Sequence, residues 1–126
     1  MAKDNIKKIL FIEDEPSLRK SIKKLLEDHH YLFLEAEDGE EGLLLAKKEK
    51  PDLILLDLIL PKKDGFEVLA ELKNDSETIN IPVIVLTNLS QPQDIEKALS
   101  LGAISYLVKA NYSLLEILEK IKNTIG

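Results

Sequence analysis

Five short runs of hydrophobic residues recur along this chain, and hydrophobic residues at helical spacing follow each of them. Four runs are continuous and end in polar side chains; they cover 9–12, 53–56, 83–86 and 106–108. The remaining run, 31–35, is a weaker strand candidate. Unbroken hydrophobic runs of this length are typical of parallel strands that are buried on both faces. The pattern therefore predicts five parallel strands.

The segments between the strand candidates predict five helices. Pro16 suits the first turn of the first helix, and the second helix is expected over about 39–49. The third follows Asp64, Gly102 closes the fourth as a C-terminal cap, and the last repeats hydrophobic residues over 114–125. This alternation predicts an α/β fold: a doubly wound, five-stranded parallel sheet with right-handed crossovers and helices on both faces.

Composition narrows the class of protein. The 126 residues fit one domain, 1–126, and 44% hydrophobic with 32% charged residues is typical of a soluble globular protein. A net charge of −6 argues against a nucleic-acid-binding surface, and the lack of cysteine excludes disulfides. No signal segment opens the sequence, and the longest hydrophobic segment, 53–60, is too short to span a bilayer. We expect a cytoplasmic protein without membrane insertion.

Polar side chains follow the predicted strands at the points where they end. Glu13 and Asp14 follow the first strand, Asp57 follows the third, Thr87 ends the fourth, and Lys109 follows the fifth. The carboxyl ends of parallel strands share one edge of the sheet, where ligands bind in open α/β folds. We therefore expect three carboxylates, a hydroxyl and an ammonium to converge in one cleft.

The three carboxylates predict a cation site. They would repel one another and raise each other's pKa unless a cation lies between them, and Mg²⁺ suits them because it prefers oxygen ligands and phosphate. Asp14 has an alternative role as the cap of the helix that begins near Pro16. Asp57 lies inside the sequence Leu-Ile-Leu-Leu-Asp-Leu-Ile-Leu, where burial without a partner is costly.

Lys109 and Thr87 complete the chemistry. Taken alone, Lys109 is typical of a surface lysine with a buried stem, and Thr87 of a simple strand-end hydroxyl. Together they offer partners for phosphoryl oxygens, and with Mg²⁺ bound the charges of the cleft would roughly cancel. A phosphoryl group on Asp57 would carry about −2, and aspartyl-phosphate formation by carboxylate nucleophiles is established chemistry.

At these residues the chain resembles the receiver domains of two-component response regulators, over essentially its full length. The motifs that carry the resemblance are Glu13-Asp14-Glu15-Pro16, Leu56-Asp57-Leu58, Leu60-Pro61-Lys62-Lys63-Asp64-Gly65, Leu86-Thr87, and Gly102-Ala103 with Tyr106-Leu107-Val108-Lys109. Each motif is weak by itself, whereas their order and spacing are specific. The resemblance implies a flavodoxin-like strand order of 2-1-3-4-5.

The resemblance also implies a phosphoacceptor and a metal site. Asp57 matches the phosphoacceptor, Asp14 the direct metal ligand, and Glu13 the acidic residue that helps to hold Mg²⁺, often through water. Ile59 would supply a backbone carbonyl to the metal.

Thr87 and Lys109 match the residues that bind phosphoryl oxygens, and Thr87 with Tyr106 matches the switch pair. The implied function is a signalling switch that takes phosphate from a histidine kinase or histidine phosphotransfer protein. The face made by the fourth helix, fifth strand and fifth helix would then engage a downstream effector or pass the phosphate on.

Two departures from the family pattern carry predictions. The family usually has Pro after the lysine, with a cis peptide bond, whereas Ala110 follows Lys109 here. A cis bond before a residue other than proline costs about 2.5–4 kcal/mol, so we expect a trans bond. Ile59 and Leu89 are aliphatic at positions that flank the path of hydrolytic water, which predicts slow self-dephosphorylation.

The expected protein is a stand-alone receiver of the chemotaxis-regulator kind that catalyses only its own phosphorylation and dephosphorylation; a receiver domain cut from a longer protein is the other possibility. The alternative is a phosphorylation-independent interaction module that keeps the fold alone, which Ala110 favours. Two enzyme classes fit less well. A haloacid-dehalogenase-type phosphatase would have Asp in place of Ile59, and a flavodoxin-type cofactor would be repelled by Glu13, Asp14 and Glu15.

Overall fold

The hydrophobic runs form the strands of one parallel sheet in the computed structural model, which describes residues 6–126. The strands are β1 (Lys8–Ile12), β2 (Leu32–Ala36), β3 (Leu53–Leu56), β4 (Val83–Thr87) and β5 (Ser105–Val108). Their spatial order is β2-β1-β3-β4-β5, and all neighbours are parallel. This confirms the predicted α/β fold and the strand order that the resemblance implied.

Five helices connect the strands. They are α1 (Pro16–Asp28), α2 (Gly39–Glu49), α3 (Gly65–Lys73), α4 (Pro92–Leu101) and α5 (Leu114–Ile125), with a 3₁₀ turn at Lys109–Asn111. Gly102 closes α4 in the left-handed conformation, with φ of 116°, as predicted. Asp64 caps α3 by accepting a hydrogen bond from the Glu67 amide at 3.0 Å. Within residues 6–126 no helix combines the length and hydrophobicity needed to cross a bilayer.

Alternate residues of each strand point to opposite faces of the sheet, which divides the core into two layers. Ile9 and Phe11 of β1 pack on the side of α1 and α5. Leu10 and Ile12 pack on the side of α2, α3 and α4. Strands β3 and β4 are buried along their whole length, so polar groups that follow them lie over the hydrophobic core.

Candidate functional site

Strand register places the predicted acidic residues side by side. Ile12 at the end of β1 pairs with Leu56 at the end of β3, so Glu13 and Asp57 both follow the same rung of the sheet. The Asp57 amide continues the ladder by donating to the Ile12 carbonyl at 3.1 Å. Glu13 and Asp57 thus each follow directly after one of two adjacent central strands, β1 and β3.

Glu13, Asp14 and Asp57 form an acidic cluster, with one carboxylate oxygen of each within 4.8 Å of the others. Glu13 is 1% exposed and Asp57 is 3% exposed, whereas Asp14 is open to solvent. The alternative role of Asp14 as a helix cap is wrong, because Glu15 is the N-cap residue and no side chain caps α1. Its carboxylate is therefore free of that structural task.

Lys109 joins the cluster from the end of β5. Its Nζ lies 2.8 Å from Asp57 Oδ2, to which it donates a hydrogen bond, and 2.8 Å from Glu13 Oε1. The contact with Glu13 is an ion pair without hydrogen-bond geometry, and Oε1 has no hydrogen-bond partner in the described part of the chain. One ammonium against three carboxylates leaves an excess of negative charge.

Burial raises the pKa of Glu13 to about 7; the ammonium of Lys109 opposes this and the charge of Asp57 reinforces it. Burial acts to lower the pKa of Lys109, but its hydrogen bond to Asp57 and the negative charges of Asp57 and Glu13 outweigh burial and raise that pKa. Lys109 therefore carries its charge at neutral pH. Glu13, by contrast, is a buried carboxylate that lacks sufficient positive charge around it.

These observations fit a divalent cation. Glu13 Oε1 is buried beside two further carboxylates, and the ammonium that lies 2.8 Å from it is shared with Asp57, which leaves buried negative charge that is costly without a further cation. Hard divalent ions take oxygen ligands and commonly bind through one or two carboxylates with water. The exposed carboxylate of Asp14 leaves the cluster open to solvent on one side.

The two predicted switch residues contact the same residue, Leu89. Thr87 is fully buried at the end of β4, and its Oγ1 accepts a long hydrogen bond from the Leu89 amide at 3.4 Å. Tyr106 donates from its hydroxyl to the Leu89 carbonyl at 2.8 Å. Burial raises the pKa of Tyr106 to about 12, and the charges of Asp94 and Asp57 act in the same direction. The amide and the carbonyl of Leu89 thus bind the two residues separately.

Two further site positions follow Asp57 and Lys109. The Ile59 amide donates to Asp57 Oδ1 at 3.2 Å, while the Ile59 side chain is exposed. The Lys109–Ala110 bond is trans, which confirms that expectation. Lys109 reaches both carboxylates from the start of a 3₁₀ turn that Ala110 continues.

Sequence reasoning missed two residues that shape the site. A Cβ on Gly65 would lie 2.3 Å from the Asp57 carbonyl oxygen, so this position must be glycine for α3 to begin against the loop. Arg19 donates to the Glu13 carbonyl at 2.7 Å. Gly65 gave a signal as a glycine at a helix start, but one Arg among several cations of an amphipathic helix gave none.

Comparison with known proteins agrees with this geometry. The profile of the family described as response regulator receiver domain matches residues 9–122. The chain belongs to this family. Receiver domains are phosphoacceptor signalling switches of two-component systems, and they interact with histidine kinases and effectors.

Two relatives illustrate the similarity. Protein PilH of Pseudomonas aeruginosa is 38% identical over 102 residues, which cover 81% of this chain and 84% of PilH. A probable transcriptional regulator, ycf27, of Porphyridium aerugineum is 41% identical over 118 residues, 94% of this chain but 48% of the relative. The chain thus spans about half the length of that regulator.

Solved structures show the same fold. The chemotaxis protein CheY4 of Vibrio cholerae superimposes with a TM-score of 0.87 at 28% identity, covering 94% of this chain and 98% of CheY4. The receiver domain of the sensor histidine kinase PA1611 of Pseudomonas aeruginosa gives 0.86 at 28% identity, covering 96% and 98%. The PA1611 receiver domain has a magnesium ion coordinated in its active site cleft.

Proposed function

We propose that this receiver domain accepts a phosphoryl group on Asp57 from a phosphohistidine donor, with Mg²⁺ held by Glu13, Asp14, Asp57 and the Ile59 backbone carbonyl. The observation that carries the proposal is the buried Asp57 carboxylate. One oxygen accepts from Lys109 and the other from the Ile59 amide, beside a Glu13 oxygen without a hydrogen-bond partner. The magnesium ion in the PA1611 receiver supports the choice of metal.

Bound Mg²⁺ would neutralise the carboxylates and polarise phosphoryl oxygens. A carboxylate oxygen of Asp57 attacks phosphorus, the phosphorus–nitrogen bond to the donor imidazole breaks, and its electron pair stays on the imidazole nitrogen. The ammonium of Lys109 neutralises negative charge at the phosphoryl group, because it already lies 2.8 Å from Asp57. The Thr87 hydroxyl, at the end of the neighbouring strand, hydrogen-bonds a phosphoryl oxygen.

The donor would approach through an open cleft of about 450 Å³ beside the cluster. The cleft is lined by Glu15, Ser17, Leu18, Ser21, Asn88, Lys109 and Ala110. It combines the carboxylate of Glu15 with hydroxyl, amide and aliphatic groups and with the ammonium that contacts Asp57. A histidine kinase or histidine phosphotransfer protein in the cytoplasm is the proposed donor.

The output surface of the proposal is the face of α4, β5 and α5. Its exposed hydrophobic side chains are Leu99, Ile104, Tyr112 and Leu115. If Thr87 turned toward a phosphoryl group, its contact with the Leu89 amide would break while Tyr106 still holds the Leu89 carbonyl. The loop between β4 and α4 would then shift and change the surface that an effector meets.

Incubation with acetyl phosphate and Mg²⁺, followed by mass spectrometry of the intact protein, tests the proposal. We expect the wild-type protein to gain the mass of one phosphoryl group and Asp57→Asn to gain none. Asp28→Asn, which removes an exposed carboxylate paired with Lys24, should behave as the wild type. A wild-type protein without any mass gain would favour the phosphorylation-independent interaction module instead.

A further inference from the structure

Arg19 links the acidic cluster to the edge strand of the sheet. It lies in the first turn of α1, and its side chain is 11% exposed. Nη1 donates to the Glu13 carbonyl at 2.7 Å, and Nε donates to Glu35 Oε1 at 3.0 Å. Glu35 belongs to β2, which lies at one edge of the described sheet and pairs with β1. The guanidinium thus spans from the outer strand to the loop that carries the acidic residues.

Glu13 is held at three of its four polar atoms, and Arg19 holds one of them. The Glu13 amide donates to the Ala36 carbonyl at 2.9 Å, and Oε2 accepts from the Glu15 amide at 3.1 Å. Arg19 holds the carbonyl. The atom left without a hydrogen bond is Oε1, which faces Asp57 and Lys109 in the cluster.

The hydrogen bond from Arg19 to the Glu13 carbonyl also orients the backbone from which the Asp14 side chain extends. The carbonyl of Glu13 belongs to the peptide unit that ends at the Asp14 Cα, and this unit is planar. Because Arg19 binds the carbonyl oxygen, it restrains the orientation of the whole peptide plane. It thereby restrains the direction in which the Asp14 side chain leaves the backbone. Asp14 is exposed, and its side chain makes no hydrogen bond to another group of residues 6–126. The backbone is therefore the main restraint on its direction.

The ion pair between Arg19 and Glu35 does not by itself explain the burial of the guanidinium. The Glu35 side chain is 43% exposed, and ion pairs open to solvent contribute little to stability. The hydrogen bond to the Glu13 carbonyl adds a second charge-assisted contact, of a type roughly twice as strong as one between neutral groups. No ion pair in the described chain joins Arg19 to a carboxylate of the cluster, so Arg19 contacts the cluster through the backbone and Lys109 is the cation that pairs with its carboxylates.

We propose that Arg19 is a positioning residue for the cation site: it holds the Glu13–Asp14 peptide so that both carboxylates meet the ion together with Asp57. The proposal rests on the proposed function, since it assigns Arg19 to the same metal site. Groups that orient the ligands of a metal typically change its affinity 10- to 100-fold when removed.

The sign of the effect separates positioning from simple electrostatics. Arg19 is a cation near a cation site, so removal of its charge alone would tighten Mg²⁺ binding. Loss of the carbonyl contact would instead weaken it. A merely structural role would lower the stability of the fold and leave the Mg²⁺ affinity of the folded protein unchanged.

Isothermal titration calorimetry with Mg²⁺ alone tests the inference. We expect Arg19→Gln to raise the dissociation constant roughly 10-fold. Arg19→Lys keeps the charge but lacks the forked guanidinium, so it should weaken binding about 3-fold. Lys23→Gln removes the same charge from the exposed side of α1 and should stay within about 2-fold of the wild type. Urea denaturation of each variant checks that it is folded.

Arg19→Gln that binds Mg²⁺ as tightly as Lys23→Gln, or more tightly, would overturn the inference. If Arg19→Gln fails to fold, the Mg²⁺ affinity of Arg19→Lys is compared with that of Lys23→Gln instead, and equal affinities would overturn the inference. The proposed metal site is tested separately. It is excluded if the wild-type protein binds no Mg²⁺, or if Asp57→Asn binds Mg²⁺ as tightly as the wild type. If the wild type binds Mg²⁺ and Arg19→Gln binds it equally tightly, only the proposed role of Arg19 is excluded.

Discussion

Two regions of this molecule withdraw polar side chains from water, and they do so differently. In the loop after α3, Thr78 is fully buried and donates to the Leu72 carbonyl at 2.7 Å. Lys73 donates to the carbonyls of Ile79 and Ile81 at 3.0 and 2.7 Å. Each donor has a backbone acceptor. This region fastens a loop and needs no ligand.

The acidic cluster is the opposite case. Glu13 and Asp57 are buried beside each other, and Lys109 is their only ion-pair partner in the part of the chain that the structure describes. Burial of two carboxylates around one shared ammonium lowers stability unless a ligand adds positive charge. The comparison teaches that satisfied buried polar groups mark structure, whereas unsatisfied ones point to a binding partner.

The largest effect on the contrast between the two regions is expected from Glu13→Gln. The change removes a buried charge but keeps an oxygen to accept from the Glu15 amide. We expect Mg²⁺ affinity to fall roughly 10- to 100-fold, while stability without Mg²⁺ is unchanged or increased. Calorimetric titration and urea denaturation measure the two effects. A variant that is less stable but binds Mg²⁺ normally would show that Glu13 stabilises the fold, as Thr78 and Lys73 do, and does not serve the metal site.

Thr78→Val is the counterpart in the satisfied region. It keeps the shape of the side chain but leaves the Leu72 carbonyl without its hydroxyl donor. We expect a loss of about 1–3 kcal/mol in the free energy of unfolding and no change in Mg²⁺ affinity. Denaturant unfolding with and without Mg²⁺ checks this. Weaker Mg²⁺ binding in this variant would contradict the separation of the two regions.

Ile59→Asn addresses the rim of the acidic site. The Ile59 side chain is exposed beside Asp57 and offers no group that could orient water. An amide at this position should speed the loss of phosphate from phosphorylated protein several-fold. The decay of the phosphorylated mass after removal of acetyl phosphate measures the rate, with Ile59→Val as the matched aliphatic control. An unchanged or slower decay would count against the predicted slow self-dephosphorylation.

The smallest expected effect concerns Tyr106. Because burial raises its pKa from 10.0 to about 12, the folded state favours the neutral phenol. The associated stability is complete below pH 10 and is lost as the pH rises toward 12. Tyr106→Phe should therefore lose stability less steeply over this window. Chemical denaturation at several pH values checks the slope, and identical slopes would contradict the burial of the hydroxyl.

The central strands were predicted well because their hydrophobic runs are buried on both faces. The edge strand was predicted less well: 31–35 was expected and Leu32–Ala36 is observed. Among the strands of residues 6–126 only β1 pairs with β2, and Leu32 and Glu35 are exposed, so the hydrophobic pattern of β2 is weaker. Asp38 and Asp64 cap α2 and α3 with their side chains.

The sequence by itself determined which residues end the strands, because a polar residue that closes a buried run must lie at the rim of the sheet. Tertiary structure decided how those residues are held. Arg19 reaches Glu13 across six positions, and Thr87 meets Tyr106 at Leu89 through a loop. Hydrophobic periodicity carries no information about such contacts, since each depends on the direction of one side chain or one peptide plane after the strands have paired.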